Sequence, residues 1–340
     1  MAMATDGEAS AGGQPHDGLF RLVFSDPEHA GSELRSVLPQ DLAARIDLDG
    51  LVLQEGTFVD EVLRHRQTDV LFATTVSGRD AYLYVLIEHQ SSPDPLMAFR
   101  MLVYMVRIWE RHLARHAASS GRRPLPLIVP LVIYQGRRRW SAVTDIAGLL
   151  DIDDGLGEAA RDLIPRFRFL LDDLTEVDAA ALRARPLTST ARVAFALFAN
   201  ATDDPDVTRW LKDWIEDLSE IDRQRLVGVF SYILRVSVTP VDVLVRFAAT
   251  VGPVAEEVAM TTADQLIAQG EARGEARGIV QGIASGRASL LIDMLTLKFG
   301  ELDAEVRVGS SMRPPSRSVS GASGWCGEPA LSSRSSTERH

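Results

Sequence analysis

The stretch that decides the fold reads Asp69-Val70-Leu71-Phe72-Ala73-Thr74-Thr75, a short Ser77-Gly78 turn, and then Ala81-Tyr82-Leu83-Tyr84-Val85-Leu86-Ile87-Glu88-His89-Gln90. Both runs are rich in β-branched and aromatic residues, which fit a pleated, half-buried surface, and the turn between them predicts a β-hairpin. In a hairpin the start of one strand lies beside the end of the next, so Asp69 is expected next to Glu88. Side chains alternate along a strand, which sends Glu88 and Gln90 to one side and His89 to the other. Two carboxylates held together repel one another unless a cation joins them. Hard oxygen ligands in such small number suit Mg²⁺, which keeps several waters and takes one or two protein carboxylates. The plain alternative is a pair of solvated strand ends, and an acid pair alone does not separate the two readings.

Outward from the hairpin, Ser91-Ser92-Pro93-Asp94-Pro95 breaks the strand and offers an N-cap to a helix reaching about His116. Leu96, Phe99, Leu102, Val103, Val106, Trp109 and Leu113 recur at helical spacing and predict that helix's buried face. The run Leu127–Tyr134 reads as a further strand. Pro130 within it lacks a ladder donor and predicts an edge or a bulge. A short strand is expected over 167–171, and helices over 176–200, 205–217, 221–236 and 239–250. From Gly270 to Gly286 glycine falls at every fourth residue. On a helix that spacing lines one face with hydrogens and admits a second copy of the chain; the competing reading is a semi-flexible linker into an amphipathic segment over 290–302.

Composition narrows the chemistry. With 46% apolar and 24% charged residues in 340, wholesale disorder is excluded. The net charge is -11, yet nine arginines against the single acid Glu110 give residues 98–140 a charge of +8. A polyanion-facing region inside an acidic protein is therefore expected. Only Lys212 and Lys298 are lysines, leaving 34 arginines. A phosphate-binding P-loop is thereby excluded, as is Schiff-base catalysis in the first 211 residues. One cysteine, Cys326, excludes a disulfide framework and suits a reducing compartment. Residues 1–15 carry no apolar run, and no stretch approaches the ~20 apolar residues of a membrane span; the expectation is a cytoplasmic protein with no membrane partner.

Several smaller signals fall either way. Arg100, Tyr104, Arg107, Arg111 and Arg115 are spaced by four, three, four and four. They form one helical stripe of cations with an aromatic, suited to phosphate contacts that position DNA without reading its sequence. His112 and His116 stand one turn apart without a third ligand and read as surface histidines. Gly155-Leu156-Gly157-Glu158-Ala159-Ala160 follows acids rather than a strand, so it is no dinucleotide fingerprint. Asp17 precedes the amphipathic Leu19-to-Phe24 stretch and reads as a helix cap or a further site acid. Glu61 either joins a metal cluster or pairs with Arg64 or His65.

The run Phe58-Val59-Asp60-Glu61-Val62-Leu63-Arg64-His65-Arg66-Gln67-Thr68-Asp69-Val70-Leu71, followed by Tyr84-Val85-Leu86-Ile87-Glu88-His89-Gln90-Ser91-Ser92-Pro93-Asp94-Pro95, resembles the Rpn family of recombination-promoting nucleases, also labelled putative transposases of the YhgA-like type. His16-Asp17-Gly18-Leu19-Phe20, the helix from Phe99 to Glu110 and Val129-Pro130-Leu131-Val132-Ile133-Tyr134-Gln135-Gly136 match the family in the same order. The glycine repeat and Lys298-Phe299-Gly300 resemble its C-terminal region. The resemblance implies an α/β, restriction-endonuclease-like mixed sheet flanked by helices, of the PD-(D/E)XK superfamily, that cuts DNA with a divalent metal. It assigns Asp69 and Glu88 as metal ligands, with the His89 backbone carbonyl as a third. Gln90 takes the position where the superfamily usually has lysine, so the metal must supply more of the water's activation. The serine-rich tail departs from the family pattern, which raises a shifted reading frame or a decayed end.

The expected organisation is a disordered 1–15, a nuclease-like domain over 16–175, an all-helical region over 176–261, the glycine-repeat helix and amphipathic segment over 262–309, and a disordered tail over 310–340. The leading functional reading is a Mg²⁺-dependent DNA endonuclease that promotes recombination. Its competitors are a non-catalytic DNA-binding or oligomerising protein on a decayed nuclease fold, and transposase-type strand transfer.

Overall fold

Ser77 and Gly78 both adopt positive φ, 50° and 74°, the backbone of a two-residue hairpin turn whose twist matches that of the flanking strands. The computed structural model describes residues 15–54, 69–88, 93–115, 124–136, 138–160 and 162–300. The turn pairs β2 (Asp69–Val76) antiparallel with β3 (Arg79–Glu88), and the register runs from Val76 opposite Arg79 to Asp69 opposite Leu86. Asp69 therefore does not face Glu88, as the hairpin alone suggests. A two-residue turn pairs equal lengths of strand on either side, and Glu88 extends two residues beyond that match.

Three more strands complete a mixed sheet in the order β1 (Val52–Leu53), β2, β3, β4 (Leu127–Tyr134), β5 (Leu170–Asp173). β1 joins β2 antiparallel, whereas β3, β4 and β5 run parallel. β4 is an interior strand, not the edge that Pro130 suggests. β5 pairs it only from Leu131 onward, so Pro130 stands where β4 has a single neighbour and its missing N–H removes no bond to β5.

Helices cover both faces. Ahead of the hairpin come α1 (Pro15–Phe24), α2 (Pro27–Val37) and α3 (Gln40–Ala43); α4 (Met97–Arg115) connects β3 to β4, and α5 (Asp154–Ala159) precedes β5. After β5 follow α6 (Ala179–Ala184), α7 (Ser189–Asn200), α8 (Thr208–Leu211), α9 (Ile215–Glu220), α10 (Arg223–Val236), α11 (Val241–Val251) and α12 (Pro253–Phe299). Local chemistry sets the starts: the side chains of Asp178, Thr188 and Asp222 accept bonds from Ala181, Ala191 and Arg225 N–H and cap α6, α7 and α10. Val70, Phe72, Leu83, Val85, Leu131 and Ile133 turn to one face and share a core with α1, α2, α7 and α10. Gly228 lets α1 lie close on α10, since a Cβ there would collide with Leu22. Residues up to Ile267 form one compact unit.

The other face carries α4, and its orientation corrects the sequence reading. Met97, Ala98, Met101, Tyr104, Met105, Ile108 and His112 are buried against Leu71, Tyr84 and Val132. Phe99, Val106 and Leu113 are 53%, 43% and 47% exposed. The helix is apolar on more than one side, so periodicity alone does not select the face that the sheet covers. His112 is likewise buried rather than on the surface, with Nδ1 3.2 Å from Tyr82 Oη.

In the unit beginning at Ala268, the glycines at 270, 274, 278, 282 and 286 meet nothing within 4 Å of an added Cβ. They do not form a straight seam. Each four-residue step advances about 40° around a helix, so five glycines sweep roughly 160°. Among the described residues no helix is long and apolar enough to cross a membrane.

A buried ionic cluster ties α2, β5 and the α6–α7 connection. Arg185 donates to both carboxylate oxygens of Asp172, at 2.7 and 2.8 Å, and lies 3.8 Å from Glu33. Glu33 is 1% exposed. Burial, and then the Asp172 charge, push its pKa well above the ordinary glutamate value. Folding therefore favours the protonated form of Glu33, and its contribution to stability declines as pH rises from about 4.5 toward its folded-state value. Glu33→Gln should remove that decline in urea-unfolding free energies measured across the window; parallel curves for both proteins would show that Glu33 is ionised in the fold. Arg185→Met, which strands the buried Asp172 carboxylate, should cost about 3–5 kcal/mol.

Candidate functional site

Asp69 opens β2 and Glu88 closes β3, so both stand at the same end of the sheet, the end where β3, β4 and β5 present their carboxyl termini. In open α/β sheets this end is where ligands bind. The backbone at Glu88 lies two residues past Asp69's partner Leu86, a diagonal separation of roughly 7–8 Å. Glu88 is itself in register with Tyr134, and Tyr134 with Asp173. His89, Gln90 and Glu61 lie outside the described residues.

Asp69 is held on two sides. Tyr84 Oη donates to Asp69 Oδ2 at 3.0 Å. Arg21, on α1 at the opposite face, brings Nη2 to 3.8 Å from Asp69 Oδ1. Tyr84 is 1% exposed and its ring packs on Tyr104 with centroids 5.5 Å apart, so the phenol has no freedom to swing away. Burial raises the pKa of Asp69 above the usual aspartate value, and the Tyr84 hydrogen bond and the Arg21 cation oppose that rise. Tyr84 itself is pushed well above the phenol range by burial and by the Asp69 charge. A carboxylate with 14% of its side chain exposed and destabilised in its charged form is one that a cation would relieve.

Neither Tyr84 nor Arg21 emerges from motif reading. Tyr84 was accessible from the turn: a two-residue hairpin sets it opposite Leu71, diagonal to Asp69. Arg21 carries no sequence signal, because the meeting of α1 with the sheet end is purely tertiary. Asp17 lies within the first turn of α1 rather than at its cap.

The stripe on α4 divides. Arg107 and Arg115 are exposed and Arg111 is half-buried. Arg107 donates to Glu110 at 3.2 Å, and Arg115 to Gln54 Oε1 at 3.1 Å. Arg100 is only 18% exposed and bonds Asp94 at 2.6 Å. Tyr104 is 7% exposed within the α4 core and presents no ring to a base, which corrects its place in the stripe. By helical angle it falls between Arg111 and Arg115, at the border of the sheet-facing side, and it is buried because its ring packs on Tyr84. Arg100 acts electrostatically on Tyr84, whereas Arg111 and Arg115 act on Tyr82. The cations thus run along β3 from the Asp69 end toward the hairpin turn.

A cleft of about 920 Å³ opens beyond β4 and β5, bordered by His16, Gln135, Asn200 and Asp203. Burial lowers the His16 pKa, and its Nδ1 lies 2.7 Å from Tyr232 Oη. No arginine or lysine is among the described lining residues, so phosphate binding is better served by α4. Among the described residues no three His, Cys, Asp or Glu side chains converge as a metal site.

A family model described as "Putative transposase, YhgA-like" matches residues 14–226, more than half of the chain. Recombination-promoting nuclease RpnD of Escherichia coli O157:H7 is 41% identical over 124 residues, 36% of this chain and 46% of that protein. RpnC of Escherichia coli strain K12 is 41% identical over 122 residues, 36% and 39% of the two chains. A third relative from strain K12, named inactive recombination-promoting nuclease-like protein RpnE, is 37% identical over 122 residues, again 36% and 39%. The chain spans less than half the length of these three relatives. No solved structure matches it.

The Asp69 environment is testable without any ligand. Asp69 should titrate above the ordinary aspartate range in carboxylate-resolved NMR, and Tyr84→Phe should move it higher still by deleting the bond that favours the anion. An unshifted Asp69 would show that the carboxylate is solvated.

Proposed function

The chain belongs to the YhgA-like putative transposase family, and on that premise we propose that it is a divalent-metal-dependent DNA endonuclease that hydrolyses phosphodiesters and promotes recombination. The observation that carries the reading is the Asp69 carboxylate, largely enclosed, bonded by Tyr84 and set at the same sheet end as Glu88. Its donor chemistry fits a hard cation, since carboxylate oxygens suit Mg²⁺ and a buried anion gains from a positive partner.

In this reading Asp69 and Glu88 hold Mg²⁺ or another divalent ion, with the His89 carbonyl and Glu61 as further oxygen donors. Bound there, the ion supplies positive charge to activate water and neutralise phosphoryl oxygens. Tyr84 and Arg21 keep Asp69 ionised and aimed. Gln90 orients the attacking water through its amide and contributes no charge, which makes turnover slow and steep in metal concentration. Arg107, Arg111 and Arg115 hold the DNA backbone along α4. Because Asp69 must be ionised, cutting rises with pH through its raised pKa.

Two alternatives keep specific support. The name of RpnE describes an inactive nuclease-like protein, which favours a non-catalytic DNA-binding role, and the family name favours strand transfer. A supercoiled-plasmid assay with Mg²⁺ separates them. The wild type should nick, Tyr84→Phe should lose about 10–100-fold, as loss of an outer-shell partner does, and Asp69→Ala should lose more. Equal nicking by wild type and Asp69→Ala sinks the proposal, no nicking by either favours the non-catalytic role, and joined ends favour strand transfer. The exposed Ile279, Val280, Ile283 and Leu290 of α12 further support contact with a second copy. Sedimentation should then give a smaller mass for a chain ending at Ile267; equal association states would remove that contact.

A further inference from the structure

The cleft beyond β4 and β5 holds two amide side chains whose orientation is fixed. Asn200 Nδ2 donates to Ala196 O at 2.9 Å, one turn back in α7, and Gln135 Nε2 donates to the carbonyl of Phe198. Neither amide can exchange its ends without losing that bond, so both oxygens stay available as acceptors. Gln135 Oε1 is buried without a partner, and Asn200 Oδ1 accepts no bond among the described residues. An acceptor shielded from water and left unpaired is costly, so a donor that reaches it is favoured. Asp203 is the one acid among the described lining residues, and no arginine or lysine is among them. Burial keeps His16 from supplying a balancing charge. Leu174, Val177 and Phe198 provide an apolar wall. The cleft is thus unsuited to an anion and fits a flat, uncharged group with an apolar face and N–H donors along one edge.

Position narrows the choice of group. Gln135 directly follows Tyr134, which is in register with Glu88, and neighbouring strands lie about 4.8 Å apart. The cleft wall therefore begins roughly one strand spacing from the Glu88 backbone, within reach of a base whose own phosphate sits at the Asp69 and Glu88 end of the sheet. Inside a duplex the edge of each base is engaged by its opposite number, so only an unpaired base presents it in full. We propose that this cleft receives one unpaired base of the substrate strand and reads an amino group on its edge, which adenine, cytosine and guanine carry and thymine lacks. The inference rests on the DNA reading above for the course of the strand, but its binding consequence needs neither metal nor cutting.

The test measures affinity in EDTA by fluorescence anisotropy, on duplexes that each carry one bulged base. Bulged cytosine is compared with bulged uracil, which has an oxygen in place of the amino group, and bulged adenine with bulged purine, which lacks the group altogether. The wild type should bind the amino member of each pair about 10-fold more tightly, within the range that a base-edge contact supplies. Asn200→Ala, at an exposed position, should lower both ratios, and adding Gln135→Met should bring them to about one, with folding of each variant checked by urea unfolding. Wild-type ratios of one, or unchanged ratios in Asn200→Ala, would overturn the proposal. Nicking with Mg²⁺ is scored separately. A base preference without nicking overturns the metal reading alone, nicking without a base preference overturns this inference alone, and no binding to any duplex overturns the DNA reading and this inference together.

Discussion

Everything at the candidate site depends on the two-residue turn at Ser77 and Gly78. Positive φ at both positions gives the turn the twist that lets eight residue pairs form between β2 and β3. Because side chains alternate with period two, moving that register by one residue would send Asp69 to the opposite face, away from Tyr84. The turn lies at the far end of the hairpin from Asp69, so a local backbone conformation determines the placement of a side chain about 23 Å away.

A second constraint is the closed environment behind Asp69. Tyr104 buttresses Tyr84, and Tyr84 bonds Asp69, so an aromatic on the sheet-facing side of α4 serves the carboxylate through packing. Tyr104 is therefore a core residue packed on Tyr84 rather than a solvent-facing member of the arginine stripe. The same helix presents Arg107, Arg111 and Arg115 on its outer side. α4 thus has two jobs on two faces, supporting the acid within and offering cations without.

The acidic net charge takes on a spatial meaning in this light. A protein at -11 repels a polyanion at long range, but within a Debye length of about 8–10 Å the local cations dominate. Arg107, Arg111 and Arg115 give α4 such a local concentration of cations. Several acids elsewhere are occupied internally, as in the Glu33–Asp172–Arg185 cluster and the bidentate Arg223–Glu257 pair.

The hairpin, α4, β4 and the helical course after β5 were all legible in the sequence, because β-branched runs, turn residues and caps act over a few neighbours. Asp69 and Glu88 were legible as the acids of one sheet end for the same reason. Which face of α4 is buried was not, since that helix is apolar on more than one side and only the sheet selects among them. Nor was the interior place of β4, since Pro130 is tolerated only because β5 begins one residue later. The Arg21–Asp69 contact and the burial of Glu33 beside Asp172 join residues 48 and 139 positions apart in the chain. Local pattern reports short-range preference, whereas these contacts exist only once helices α1 and α2 are packed on the sheet, where loss of water makes each charge depend on its neighbours.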